Sequence, residues 1–209
     1  MLGDCVSCRI GCALRQNERP GRNMAVYLTA DWHFCHDRPF IWKARGCADI
    51  EEMNRRIVER AREIVTDEDD LYVLGDLMLR DNVEAMRLVE AMPGRLHVIR
   101  GNHDTDQRIE LYKKSEKIVE VCDAKWLRTP HHAFFLSHYP CLTANYDDGS
   151  RMSQHVVSLA GHVHTTDPFS DWEKGMIYHV EVDAHDLYPV ALDEIIAQCR
   201  RKLYGTRET

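Results

Sequence analysis

Residues 96–104 read Leu96-His97-Val98-Ile99-Arg100-Gly101-Asn102-His103-Asp104. A short apolar run closed by a turn signal reads as a buried strand. Here it is followed at once by three side chains with donor atoms. Open α/β sheets bind ligands just outside their strand ends, so the position suits a site. The same grammar holds on either side of this stretch. Upstream, Leu71–Leu74 leads into Gly75-Asp76, and Ala25–Ala30 leads into Asp31-Trp32-His33. Downstream, Phe134–Ser137 leads into His138, and Val156–Ala160 leads into Gly161-His162-Val163-His164. Together these motifs place three Asp, one Asn and five His along one rim of a sheet. Hard oxygen donors mixed with imidazole nitrogens are what a pair of divalent metals requires.

The bulk properties set the frame. The chain has 209 residues, enough for a full core, and is 44% hydrophobic and 29% charged. No stretch approaches the roughly 20 apolar residues that cross a bilayer. The first residues lack the apolar core of a signal peptide. A cytoplasmic enzyme is therefore expected. The formal net charge of -7 argues against a broad nucleic-acid surface held by phosphate contacts, though not against a local one. Eight cysteines without a secretion signal read as free thiols. Cys5, Cys8 and Cys12 are spaced C-x2-C-x3-C, but no fourth metal ligand accompanies them.

Residues 1–23 have no hydrophobic period and read as a loose leader. Residues 24–209 read as one domain, with no linker dividing it. Asp49 with Glu52 forms a capping box ahead of an apolar stripe, Ile50, Met53, Ile57 and Ile64, which predicts a helix to about Val65. Asp81 and Glu84 repeat the device, and Pro93-Gly94 stops that second helix. A shorter helix follows Asp104, and 193–203 closes the chain as another. Strands are expected near 24–30, 71–75, 95–100, 117–121, 133–137, 156–160, 176–182 and 188–191. Early βαβα order followed by a strand-rich second half predicts a layered α/β sandwich.

Each motif has its own chemistry. Asp31 and His33 are two apart, as are His162 and His164; in a regular strand that spacing places both side chains on one face. The Asp76 carboxylate has two oxygens and can bridge two cations, although Gly-Asp alone is a common turn. The Asn102 amide oxygen is a neutral hard ligand. His103 next to it can protonate a leaving oxygen, with Asp104 fixing its orientation. His36, three residues past His33, can reach a phosphate. Arg80 and Arg45 offer guanidinium groups that match phosphate geometry, against the plainer reading of a solvated surface role for each. Asp183 is a candidate orienter of a ligand, while His97, His131, His132, His155, His179 and His185 read as structural or surface residues.

The order D-x-H, G-D, G-N-H-D, H, G-H-x-H resembles the calcineurin-like metallophosphoesterase superfamily, from Met24 to about Ala197. Three stretches resemble a compact branch of small phosphoesterases within it. They are Asp31–His36, Ser137-His138-Tyr139-Pro140, and Val182-Asp183 with Pro189 and Leu192. The resemblance implies a four-layer α/β/β/α sandwich with two mixed β-sheets. It also implies two divalent metal ions. One would take Asp31, His33 and His164, the other Asn102, His138 and His162, with Asp76 between them and His103 as the catalytic histidine backed by Asp104. Two details depart from the family pattern. After Gly75-Asp76 no second acid comes until Asp81, and Cys35 stands where related chains often carry glycine. Neither removes a metal ligand.

The expected activity is hydrolysis of a phosphate ester, a nucleotide among the candidates, by a metal-activated hydroxide with His103 as general acid. Manganese is the favoured metal, with iron, nickel and zinc as alternatives. A nuclease or cyclic-nucleotide phosphodiesterase of the same fold is the nearest rival. A metal-bound protein-interaction scaffold with little catalysis is the rival from another class. Monoester or diester preference and oligomeric state are not written in these residues.

Overall fold

The structure, a computed structural model, describes residues 24–143, 156–170 and 176–205. The cysteine-bearing leader lies outside the described residues.

Two five-stranded mixed sheets organise the chain. The first has the order β10-β1-β2-β3-β4, with β1 (Val26–Thr29), β2 (Asp70–Val73), β3 (Arg95–Ile99) and β4 (Ile118–Cys122) parallel, and β10 (Val190–Ala191) antiparallel to β1. The second has the order β5-β6-β7-β9-β8. In it β6 (Ala133–Ser137), β7 (Val156–Ala160) and β9 (Ile177–His179) run parallel, flanked by antiparallel β5 (Ala124–Arg128) and β8 (Phe169–Ser170). The expected pair of mixed sheets is present.

Alternation along the parallel strands builds two cores. Tyr27, Leu71, Val73, Leu96 and Val98 face helices α2 (Ile50–Ile64) and α3 (Asn82–Ala91), meeting Met53, Ile57, Ala61, Ala85 and Val89. Leu28, Tyr72 and Ile99 point the other way. There they join Phe134, Leu136, Val157, Leu159 and Tyr178 of the second sheet, with Leu192, Ile195 and Cys199 of α5 (Leu192–Tyr204). A parallel sheet buried on both faces needs apolar residues at nearly every strand position, which is what these strands carry. The two capped helices start where the sequence places them. The Asp49 side chain accepts from Glu52 N at 2.8 Å, and Asp81 accepts from the backbone of Val83 and Glu84. The short helix expected after Asp104 is α4 (Asp106–Tyr112), and a further short one, α1 (Pro39–Ala44), opens at Pro39.

Ala30 pairs with Glu181 in a parallel bridge, and Val182 N donates to Ala30 O, so the end of β1 is tied to the segment after β9. The carboxyl ends of β1, β2, β3, β6 and β7 therefore open on one rim.

Candidate metal centre

At this rim the backbone leaves the regular strand. Asp31, His33, Asp76, His162 and His164 all have positive φ, between 50° and 77°. Asp31 and His33 thus converge through a left-handed turn, and not through the pleat that their spacing suggested. The turn is held by a second strand end: Asp31 N, His33 N and Phe34 N donate to Gly75, Asp76 and Leu77 carbonyls at 3.0 Å each. Two glycines make room for the carboxylates. A Cβ on Gly101 would stand 2.2 Å from Asp76 Oδ1, and one on Gly161 would stand 2.3 Å from Asp31 Oδ2. Only a residue without a side chain permits such an approach.

Each carboxylate spends one oxygen on the scaffold and turns the other inward. Asp31 Oδ2 accepts from His162 N, and Asp76 Oδ1 accepts from His103 N, both at 2.8 Å. Asp31 Oδ1 is buried without a hydrogen-bond partner. Asp76 Oδ2 lies 3.7 Å from His33 Nε2, 3.6 Å from His138 Nε2 and 3.9 Å from His103 Nε2.

Two of the imidazoles are oriented from behind. His138 Nδ1 lies 2.8 Å from the Leu74 carbonyl oxygen, which can only accept. That nitrogen therefore carries the proton, and in the neutral ring Nε2 presents a lone pair. It faces the Asn102 amide oxygen at 2.8 Å and His162 Nδ1 at 3.2 Å. His164 Nδ1 lies 2.9 Å from Asp183 Oδ2, which leaves its Nε2 facing His33 Nε2 at 3.1 Å and Asp31 Oδ1 at 3.8 Å. His138 Nε2 and the Asn102 oxygen are both acceptors, and Asp31 Oδ1 is buried without a donor, an arrangement that a cation among them relieves. Among the described residues, three overlapping groups could hold a metal ion: Asp31, His33 and His164; His33, Asp76 and His103; and Asp31, Asp76 and His138.

The electrostatics agree. Burial raises the Asp31 and Asp76 carboxyls above their usual range, because the pocket disfavours bare negative charge. Burial pushes the His33 imidazole down to about 3, so its ring stays in the neutral, ligating form. Burial also works against charge on His164, but Asp183 and Asp31 outweigh it and raise that group. Asp183 is likewise held well below the usual carboxylate range, burial notwithstanding, by His164 and Arg45.

Two expectations need correcting. Arg45 is no phosphate clamp: its side chain is buried, forks onto Asp183 at 2.9 and 2.8 Å, and donates to the Asp31 and Trp32 carbonyls. It fastens the floor of the site. Asp104 does not orient His103. Its carboxylate is taken up by Asp76 N, Leu77 N, Gly101 N and the Tyr112 hydroxyl, so it staples the β2 and β3 loops together. His103 is instead placed by its backbone, through Asp76 Oδ1 and through Arg108, which donates to its carbonyl. Its side chain is 42% exposed, 5.4 Å ring to ring from His33. His36 packs against His33 on the same flank, held at about 4 by burial and by neighbouring His103 and Arg80. Arg80 is exposed, next to His36. Sequence reasoning missed Tyr112, whose hydroxyl looks in the sequence like that of any core tyrosine.

A model for the calcineurin-like phosphoesterase superfamily domain matches residues 24–180. The chain belongs to this superfamily. It is 30% identical over 179 residues to the uncharacterized protein MJ1445 of Methanocaldococcus jannaschii, an alignment covering 82% of this chain and 89% of that protein. It is 27% identical over 136 residues to a symmetrical bis(5'-nucleosyl)-tetraphosphatase of Glaesserella parasuis, covering 55% of this chain and 44% of that one. Among solved structures, the protein of unknown function AQ665 from Aquifex aeolicus superposes with a TM-score of 0.66 at 25% identity, covering 84% of this chain and all of that one. No helix among the described residues is long and apolar enough to cross a membrane.

Proposed function

We propose that this member of the superfamily is a phosphoester hydrolase working with two divalent cations, manganese foremost. In this reading Asp31, His33 and His164 would hold one ion and Asn102, His138 and His162 the other, with Asp76 serving both. The observation that carries the reading is the cluster of carboxylate and imidazole groups around Asp76 Oδ2 and unpartnered Asp31 Oδ1, four of which (Asp31, Asp76, His138 and His164) are fixed from behind by a backbone or carboxylate contact. Bound cations would offset the charge of a phosphate and make water more acidic near neutral pH. The protein's own groups do the rest. The oriented donors exclude alternative rotamers, so little reorganisation accompanies reaction. His103, exposed at the mouth and 3.9 Å from Asp76, donates a proton to the leaving oxygen. Exposed Arg38 and Arg80 beside His36 draw the phosphate to that flank. The tetraphosphatase name of one relative supports hydrolysis of phosphorylated nucleotides as a reading for this chain. The described cysteines are all free thiols, in keeping with the cytoplasmic assignment.

Elemental analysis alongside turnover tests the assignment. Asp76→Ala is expected to lose both ions and activity together; two tightly held ions in that variant reject the shared role. His103→Ala is expected to keep its metal and lose about 10²–10⁴ in kcat. Near-normal turnover there removes the general-acid role.

A further inference from the structure

A second group of reactive side chains lies in the second sheet, apart from the donors at the rim. Tyr178 and Val180 point into the core that the two sheets share. Alternation along the strand therefore puts His179 and, two residues on, Glu181 on the opposite face. Strand β8 pairs Ser170 with Ile177, which makes Ser170 the diagonal neighbour of His179 on that face. Ser170 Oγ lies 2.6 Å from His179 Nε2. Behind the ring, His179 Nδ1 faces Glu181 Oε2 at 3.4 Å. The histidine is 1% exposed and the glutamate 0%, while Ser170 is half-buried on the edge strand.

The surroundings fix the proton. His179 Nδ1 and Glu181 Oε2 are both buried, and neither meets a hydrogen-bond partner in good geometry. Each is the other's recourse. A proton on Nδ1 suits the carboxylate, because the other tautomer sets lone pair against lone pair out of water. With Nδ1 protonated, Nε2 is an acceptor, and the Ser170 hydroxyl donates to it. The second Glu181 oxygen is held by Thr165 N at 3.1 Å. The His179 backbone is held too: its N donates to Pro168 O at 2.9 Å, and its O accepts from His185 Nε2 at 2.8 Å. A serine that merely covers a buried histidine has no need of the glutamate, since apolar side chains would avoid the desolvation this pair incurs. Hydroxyl, imidazole and carboxylate in that order are the parts of a nucleophile activated by an oriented base, whose legs are often looser before a substrate binds.

We infer that Ser170, His179 and Glu181 form a second active site, a nucleophilic serine that takes the acyl group of a carboxylic ester independently of the metal centre. Ser170 Oγ bonds to the ester carbonyl carbon as its proton passes to His179 Nε2. The bond from that carbon to the alcohol oxygen breaks, and the alcohol leaves with the same proton. Water then attacks the acyl-serine through the same base, releasing the acid and restoring the hydroxyl. Glu181 touches no substrate and is a positioning residue, holding the imidazole in its productive tautomer.

The test uses the full chain with a chelator, so that metal-activated water contributes nothing. Diisopropyl fluorophosphate is the irreversible probe, its fluoride displaced by Ser170 Oγ, and p-nitrophenyl acetate is the turnover probe. Peptide mapping of the labelled wild type is expected to find the adduct on Ser170. Ser170→Ala is expected to lose the adduct and most of the chelator-resistant ester turnover. His179→Gln is expected to slow labelling about 10²–10⁴-fold. Glu181→Gln is expected to slow it as well, with Glu181→Asp recovering part of the rate and circular dichroism unchanged in both. An unlabelled Ser170 in the folded wild type, or ester turnover undiminished in Ser170→Ala, overturns the inference, and this pair of readings decides even if His179→Gln does not fold. Labelling at the wild-type rate in folded His179→Gln or Glu181→Gln overturns it too. The metal centre stands or falls separately.

Discussion

Asp183 shows how much one side chain outside the donor set governs. It receives the His164 imidazole and both arms of buried Arg45. Breaking a buried, hydrogen-bonded ion pair from one side typically costs about 3–5 kcal/mol, because the remaining charge is stranded. Asp183→Asn is therefore expected to lower the urea midpoint at pH 7 and to weaken metal binding about 10–100-fold. The pH dependence carries a sign. A carboxyl held below its unfolded value contributes stability that is present above that value and lost as pH falls. Wild-type stability should thus drop on acidification below about pH 4, the ordinary Asp range, and the variant should show a shallower drop. Equal acid limbs would remove the group from the account. At this scale the sequence was legible wherever a motif stood at a strand end. Asp31, His33, Asp76, Asn102, His138, His162 and His164 all meet at one rim. Arg45 and Asp104 were not legible. Residue type announces affinity for phosphate or imidazole, but only the fold reveals that backbone groups and Asp183 reach them first.

Among the elements, the loops after strands decide the site, and a glycine (Gly75, Gly101 or Gly161) stands in three of the five. Gly161→Ala places a methyl group 2.3 Å from Asp31 Oδ2 and 2.6 Å from Ala30 Cβ. The carboxylate must swing away, so elemental analysis is expected to show loss of the ion near Asp31 with the one near His138 retained. Loss of neither ion contradicts the packing argument. Helices α2 and α3 were readable because caps and apolar stripes agree with one another. The strand β5 escaped notice for a physical reason. Its outward positions hold Ala124, Trp126 and Arg128 while Lys125 and Leu127 are the more covered, so polarity does not alternate with the pleat. Its place comes from pairing with β6, from Ala124 opposite Ser137 to Arg128 opposite Ala133. The six-residue α1 and two-residue β8 are too short for a period to register.

For the molecule as a whole, the two sheets meet where the donors are, through the Ala30–Glu181 bridge, the Asp31–His162 hydrogen bond and the contact of His138 with the Leu74 carbonyl. Cations bound there would hold loops from both sheets and would bind the native chain in preference to the unfolded one. Manganese at about 100 times its dissociation constant is expected to add about 2.7 kcal/mol of stability. For a chain of this size that raises Tm by about 5–10 °C, and chelation should reverse it. A melting temperature indifferent to manganese and to chelator would mean that the rim holds no ion in solution. The layered architecture was readable from the order of strands and helices, because parallel strands with short loops can stack only in a few ways.

The left-handed backbone at Asp31, His33, Asp76, His162 and His164 has an evolutionary corollary. Such conformations cost roughly 1 kcal/mol or more apiece for residues with side chains, against a net stability of about 5–15 kcal/mol for a typical domain. Robustness and chemistry therefore pull these positions in opposite directions. A laboratory lineage screened for heat tolerance alone would drift to glycine or asparagine there first, sacrificing the carboxylates and imidazoles of its rim while its hydrophobic interior stayed intact.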